Sequence, residues 1–321
     1  MRYKIMLSRL WPDPVIRALA ERYDVTVDEQ DRPMTTMQLV DAMRSFDALC
    51  PTVSDHIGAE IIAIPDRRVR ILANYGAGTD HIDLAAARAA EVAVSNTPDV
   101  LTDATAELAI LLMLMVSRRA GEGERELRSG SWSGWRPTHM MGRSLRGRKL
   151  GLIGFGRIAQ ATALKARRLF EMEVSYHSRQ PRMIPPEIGE AAFMPYLDEV
   201  LASADVISIH CPGGQATHHL LDRQRIALLK PAAIVINTAR GSVIDEAALA
   251  EALRAGRVAG AGLDVYEHEP HVDSALMQCP GVVLLPHLGS ATLETRTSMG
   301  MAVASNLDAF FAGRPLPNHV V

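Results

Sequence analysis

The stretch Leu150–Gln160, LGLIGFGRIAQ, restricts the possible folds of this chain more than any other. An apolar run precedes the glycines and a helical pattern follows them, so a strand, a tight turn and a helix are expected in that order. Gly154 permits the turn. Gly156 lets the backbone approach a pyrophosphate closely, and Ala159, small like the glycine usual at its place, lets helix pack on strand. Backbone amides over Gly154, Phe155, Gly156, Arg157 and Ile158, helped by the helix dipole, can then hold an anion. The motif reads as the phosphate loop of a dinucleotide fold.

Such folds place Asp or Glu at the end of the next strand, to hold the ribose hydroxyls. Ser178 stands 19 residues after Ala159, followed by Arg179 and Arg182, and no acid is present. An acid would repel a 2′-phosphate. A Ser hydroxyl and guanidinium groups would bind it, each hydrogen bond to a charged group contributing roughly 1.5–3 kcal/mol. The expected cofactor is therefore NADP(H) rather than NAD(H); the alternative is a solvated loop that happens to be basic.

Apolar runs at Tyr3–Leu7, Ala48–Val53 and Val69–Ala73 read as buried strands, with helices at Val15–Arg22 and Met37–Arg44 between them. A second series covers Leu150–Gly154, Glu173–Tyr176, Asp205–His210, Ala233–Asn237, Ala259–Asp264 and Val282–Leu285, with helices at Ala247–Ala255 and Glu294–Phe311. The alternation predicts parallel sheets with crossover helices. The 321 residues suffice for two domains. Asp103 to about Ala120 reads as one long helix. Its run LAILLMLMV, Leu108–Val116, is too short for a membrane span of about 20 residues and reads as a helix buried on all sides. Gly121–Arg148 is too long for an ordinary connection. Its basic excess admits a nucleic-acid patch, but an arm that clasps a partner chain is the preferred reading. A net charge of −3 gives no general attraction to nucleic acid or membrane. Three scattered cysteines suggest a reducing compartment, the cytoplasm, and the N-terminus lacks the apolar core of a signal peptide.

Three further stretches put polar residues at strand ends, the edge where open α/β sheets bind ligands. They are Asn237–Asp245 (NTARGSVID), Ala261–Pro270 (AGLDVYEHEP) and Leu284–Thr292 (LLPHLGSAT). Singly, Arg240 could cap a helix, Glu269 could be surface charge and His287 a satisfied core histidine. Together with the phosphate loop, with NYGAGTDHID (Asn74–Asp83) and with NTPDVLTDATAELA (Asn96–Ala109), they resemble the D-isomer-specific 2-hydroxyacid dehydrogenase family over nearly the whole chain. GWRPTHMMG (Gly134–Gly142) and SRQPR most resemble its glycerate dehydrogenase and glyoxylate/hydroxypyruvate reductase members.

The resemblance implies an α/β protein of two doubly wound parallel-sheet domains with the active site in the cleft between them. A flavodoxin-like substrate domain would take residues 1–98 and 292–321. A Rossmann-type dinucleotide-binding domain would take 99–291, with 121–148 as a dimerisation arm. It implies a catalytic set of Arg240, Glu269 and His287. His287 would protonate the carbonyl oxygen of a 2-keto acid, Glu269 would favour and orient the imidazolium, and Arg240 would bind the carboxylate and polarise the carbonyl. Amides of Gly76, Ala77 and Gly78 would anchor the carboxylate. Thr105, Cys211, Pro212, Thr217, Thr238, Ala239, Arg240, Asp264, His287, Gly289 and Ser290 would complete the cofactor site. Asp264 would receive the nicotinamide amide or, alternatively, cap the turn that follows it. Trp135 or His139 would reach the partner's site in a homodimer, or simply pack its interface. No metal is expected. The small substrate, glyoxylate or hydroxypyruvate, follows from the lack of a second basic cluster, and the end at Val321 leaves no room for a regulatory domain. Gly213 and Gly214 depart from the larger residues frequent in the family and suggest a looser adenine pocket. A nucleotide-sensing corepressor on the same fold and a dehydrogenase of another small oxyanion, such as phosphite, are the competing readings.

Overall fold

In the computed structural model, which describes residues 2–321, the first hundred residues contribute five short strands. These are β1 (Lys4–Leu7), β2 (Asp24–Val27), β3 (Ala48–Cys50), β4 (Ile71–Ala73) and β5 (Ala93–Ser95). Every pair is parallel and the order is β2-β1-β3-β4-β5. Side chains alternate across the sheet, as the two-residue period of a strand requires. Ile5 and Leu7 join Val15 and Leu19 of helix Asp13–Ala20, and Val303 and Leu307 of the C-terminal helix Leu293–Phe311. Met6 points the other way, towards Leu39, Met43, Ile61 and Ile62. Both faces are thus covered, the normal condition of a parallel sheet. The apolar runs mark β1, β3 and β4. They do not mark β2 and β5, which lie at the edges and carry polar residues.

A second unit, Thr102–Gly289, is separate from the first, which comprises Met1–Leu101 with Ser290–Val321. Its seven strands are β6 (Lys149–Ile153), β7 (Glu173–His177), β8 (Ala192–Phe193), β9 (Val206–Ile209), β10 (Ile234–Asn237), β11 (Gly260–Leu263) and β12 (Val282–Leu284). All are parallel, in the order β12-β11-β10-β9-β6-β7-β8. From β6 the chain winds outward to β8, then returns to β9 on the other side of β6. The strand order reverses between β6 and β9, and such a switch point opens a crevice at the strands' carboxyl ends. All six strand runs expected here form; β8, two residues at the edge, has too little sequence to announce itself. The expected class, two doubly wound parallel-sheet domains, is the observed one.

Two expectations are corrected. The long helix ends at Ser117, and a second helix, Ala120–Arg128, starts after a left-handed Arg119 with φ +53°. The segment from Gly121 is therefore helical for its first two turns, held by ion pairs Arg119–Glu122 and Arg128–Glu124 and not a continuous loop. Nor is helix Thr102–Ser117 buried on all sides, since Leu111 is 45% exposed. Only its inner face, including Ala109, Leu112, Met113 and Val116, meets the sheet. There β11 makes room with glycine: a Cβ at Gly262 would lie 2.9 Å from Leu112 Cβ. Among the described residues no helix is long and apolar enough to cross a membrane.

Candidate active site

The phosphate loop leaves β6 at Gly154, whose φ is +89°. A Cβ there would lie 2.8 Å from Cys211 N and 2.9 Å from the His210 carbonyl, so conformation and space both demand glycine. Gly156 is the N-cap of helix Arg157–Phe170 and supplies no side-chain cap. A Cβ at Gly156 would meet nothing within 4 Å. The space beside it and the uncapped amides fit a pyrophosphate. Ala159 is fully buried. Phe155 turns its ring inward and stacks on Tyr176 at 3.9 Å, so only its backbone faces the loop's open side.

On the neighbouring strand end, Tyr176 frames the turn that carries Ser178, Arg179 and Arg182. Its hydroxyl accepts from Arg182 N at 3.0 Å and donates to Arg182 O at 3.2 Å. Ser178 Oγ donates to Gln180 O at 2.5 Å, and both arginines are exposed. Beyond β9, packing around the His210 imidazole pushes its pKa down to about 4, and Ser208 lies 2.9 Å from its Nε2. Burial pushes the Cys211 thiol up to about 11, which fits a pocket wall and not a nucleophile. Thr217 Oγ1 donates to Pro212 O at 2.7 Å and closes that loop. Thr238 has its Oγ1 buried without a partner among the described residues, an orphan that a bound cofactor could satisfy.

Past β10, Asn237 shapes the Arg240 turn. Its Nδ2 donates to Arg240 O at 2.8 Å, and its Oδ1 accepts from Ala239 N at 3.0 Å. Gly241 packs directly on the next loop, where a Cβ would fall 1.9 Å from Tyr266 C. Past β11, Asp264 is 1% exposed and gathers three consecutive amides. Its backbone oxygen accepts from His287 N, its Oδ1 from Leu288 N at 2.6 Å and its Oδ2 from Gly289 N at 2.8 Å. Burial pushes the Asp264 carboxyl up, against these bonds and the nearby His287. The carboxylate thus braces the loop after β12. Thr105 braces it too, donating to Gly289 O at 3.1 Å.

That bracing sets His287, at φ +55°, beside Glu269. His287 Nδ1 lies 2.9 Å from Glu269 Oε2, while Glu269 Oε1 accepts from Tyr266 N at 3.0 Å. Burial pushes the Glu269 carboxyl up, but the bond and charge of His287, the Tyr266 amide and the charge of Arg240 outweigh it and hold the carboxyl below its usual range. An ionised carboxylate only accepts, so Nδ1 carries the hydrogen and Nε2 is the ring atom available to a ligand.

In the first unit, two asparagine side chains hold the carbonyls of Gly76, Ala77 and Gly78. Asn74 Nδ2 donates to Gly76 O at 3.0 Å and Gly78 O at 2.9 Å, and Asn96 Nδ2 donates to Ala77 O at 2.8 Å. His81 Nε2 holds Asn74 Oδ1 at 2.9 Å. The loop's amides remain available to an anion. The supporting residues Asn74, Asn96 and Asn237 carry no signal beyond membership of the motifs that contain them. In the arm, Trp135 is 82% exposed, whereas His139 Nε2 is held 2.8 Å from Glu126 Oε2.

Residues 110–289 match the family described as D-isomer specific 2-hydroxyacid dehydrogenase, NAD binding domain. The chain is 41% identical to a glyoxylate reductase of Thermococcus onnurineus, covering 100% of this chain and 96% of that one. It is 35% identical to a glycerate dehydrogenase of Hyphomicrobium methylovorum, covering 97% and 96%. Among solved structures, the NADPH-dependent glyoxylate/hydroxypyruvate reductase of Sinorhizobium meliloti, in complex with NADP and malonate, superposes with a TM-score of 0.86 at 35% identity, covering 100% and 97%.

Proposed function

The chain belongs to the D-isomer-specific 2-hydroxyacid dehydrogenase family, and from that premise we propose that it reduces glyoxylate and hydroxypyruvate to glycolate and D-glycerate, reversibly, with NADPH preferred over NADH. The observation that carries this reading is the His287 Nδ1–Glu269 Oε2 contact of 2.9 Å beside the charge of Arg240. When bound, the reduced nicotinamide supplies the hydride to the carbonyl carbon. His287 gives the carbonyl oxygen a proton from Nε2. Glu269 stabilises the imidazolium before that transfer and fixes the ring. Arg240 binds the substrate carboxylate and stabilises the charge that builds on the oxygen. The amides of Gly76, Ala77 and Gly78 are assigned the carboxylate's other edge.

We assign the pyrophosphate to the Gly154–Ile158 loop and the 2′-phosphate to Ser178, Arg179 and Arg182. Cys211, Pro212 and Thr217 are assigned the adenine side, and Thr105, Thr238, Ala239, Asp264, Gly289 and Ser290 the nicotinamide side. Asp264 keeps its bracing bonds in this assignment and offers a remaining lone pair to the carboxamide. The active form is a homodimer. Leu111, Leu127, Trp132, Trp135 and Met141, all exposed on the second unit, supply apolar surface for it. Trp135 suits the reach into the partner's site better than His139, which is tied to Glu126. Three free cysteines fit a reducing compartment such as the cytoplasm.

The test is a matrix of initial rates with glyoxylate, hydroxypyruvate and pyruvate against NADPH and NADH. Highest kcat/KM is expected for the first two acids with NADPH. Cofactor binding without turnover of any 2-keto acid would overturn the assignment.

A further inference from the structure

Outside the residues assigned to the reaction, His218, His219 and Glu267 bring three ligand atoms together, all within 4.8 Å of one another. His219 Nε2 lies 2.8 Å and His218 Nε2 3.3 Å from the same oxygen, Glu267 Oε1. The two rings are stacked at 4.0 Å with planes 23° apart, so adjacent residues present their Nε2 atoms side by side. In a tetrahedral zinc site with bonds near 2.0–2.1 Å, neighbouring donors stand about 3.3 Å apart. The His218 separation equals that figure, while the 2.8 Å of His219 is a hydrogen bond that lengthens by about 0.5 Å when both atoms turn to an ion.

The backbone holds this arrangement in place. His219 adopts φ +47°, uncommon for a residue with a side chain, and its amide donates to Ser242 O at 2.8 Å. Glu267 is fixed from behind, its amide donating to Oε1 of the buried Glu246 at 2.8 Å. His218 and His219 follow the loop closed by Thr217, whereas Glu267 belongs to the loop after β11. Two nitrogen donors and one carboxylate select against magnesium and calcium, which prefer oxygen, and in favour of zinc and its neighbours.

We propose that His218, His219 and Glu267 form a binding site for a divalent ion of the zinc class. Each imidazole moves its ring hydrogen to Nδ1 and offers the Nε2 lone pair, Glu267 offers Oε1, and water completes the coordination. The ion cross-links the loop after β9 to the loop after β11, on either side of the Arg240 turn. None of its three residues is assigned to the proposed reaction.

Full-length protein without a histidine tag, freed of metal with EDTA, is titrated with Co²⁺ and followed by the visible absorption of the bound ion. Binding of Zn²⁺ is followed by calorimetry and by the melting temperature. One equivalent per chain and a higher melting temperature with Zn²⁺ are expected. His218→Ala, His219→Asn and Glu267→Gln should each weaken binding by at least the roughly 10–100-fold that loss of a supporting residue costs, with metal-free melting close to the parent's. Asn tolerates the left-handed backbone at 219. Should that variant nevertheless fail to fold, His218→Ala, at a half-exposed ring, decides alone. Failure of the parent to take up one equivalent, or unchanged affinity in the variants that fold, overturns the proposal.

Discussion

His287 Nδ1 and Glu269 Oε2 lie 2.9 Å apart although 18 residues separate them, and each is fixed by a different part of the fold. Glu269 is held through Tyr266 N in the loop after β11. His287 is held by Asp264, which follows β11 and takes the amides of residues 287–289. The imidazole orientation is therefore set before any ligand arrives, which spares the reaction the cost of ordering it.

Glu269→Gln removes the charge but keeps an oxygen that can accept from Nδ1. We expect kcat to fall roughly tenfold or more, short of the 10²–10⁴ that loss of the acid itself costs. The pH dependence follows from the lowered Glu269 carboxyl. A depressed carboxyl stabilises the fold above its unfolded value, near 4.3, and that contribution is lost as pH falls through the folded value. The parent should thus keep Glu269 ionised, and its His287 contact intact, to a lower pH than an unperturbed glutamate would. The part of any acid-side loss of rate and stability that comes from Glu269 should vanish in the variant. Rates and melting temperatures measured across pH 3–7 check both.

His287→Asn suits the left-handed backbone at φ +55° and deletes the proton donor. A loss of roughly 10²–10⁴ in kcat is expected, with cofactor affinity retained. Quenching of protein fluorescence by NADPH measures the affinity; unchanged turnover would remove His287 from its assigned role.

Asp264→Ala leaves the Leu288 and Gly289 amides without their acceptor. A buried unsatisfied donor costs about 1–3 kcal/mol, and 1 kcal/mol shifts melting by roughly 2–4 °C in a domain of this size. With two such donors, a melting temperature lower by about 4–24 °C is expected for the unit that holds them. Asp264→Asn, which keeps one acceptor, should lose less.

The sequence makes Gly154 legible because a strand, a turn and a helix surround it and only glycine serves the turn. Arg240, Glu269 and His287 are different: each alone has an ordinary structural explanation, and only their joint resemblance to a family singles them out. Asn74 and Asn96 are silent in the sequence, because their work is to hold three carbonyls of one loop, which requires knowing where the loop goes. Helix Ala120–Arg128 escapes notice for a local reason. Gly121 and Gly123 depress its helix propensity, while its ion pairs and the packing of Gly121 near Val283 act in the opposite direction. Edge strands β2, β5 and β8 are missed because short or half-polar stretches lack a continuous apolar run.

The two glycines of the phosphate loop should fail differently. Gly154→Ala forces a Cβ into the His210 and Cys211 backbone at a φ that favours glycine, so melting temperature and cofactor binding should both fall. Gly156→Ala meets no protein atom. It should leave melting of the cofactor-free protein nearly unchanged and weaken NADPH binding severalfold or more, because the new methyl occupies the space assigned to the pyrophosphate. Calorimetric titration beside thermal melts separates the two outcomes, and normal binding by Gly156→Ala would remove that residue from the phosphate site.

Arg179→Asp should exchange the cofactor preference. The turn that carries Arg179 owes its shape to Tyr176, whose hydroxyl grips both the amide and the carbonyl of Arg182. The exposed Arg179 side chain takes no part in that grip, so the substitution should leave the fold intact. A carboxylate at 179 repels a 2′-phosphate and can accept from ribose hydroxyls. Loss of one charged hydrogen bond corresponds to roughly 10–100-fold in kcat/KM for NADPH, with repulsion adding to it, while the value for NADH should stay level or rise. Ser178 would have to give up its bond to Gln180 O to serve the phosphate, so Ser178→Ala should cost less than Arg179→Asp. The ratio of kcat/KM for the two reduced cofactors, in the parent and both variants, is the measurement. Equal use of both by the parent, or a ratio that Arg179→Asp does not move, would mean that the basic turn is only a solvated loop.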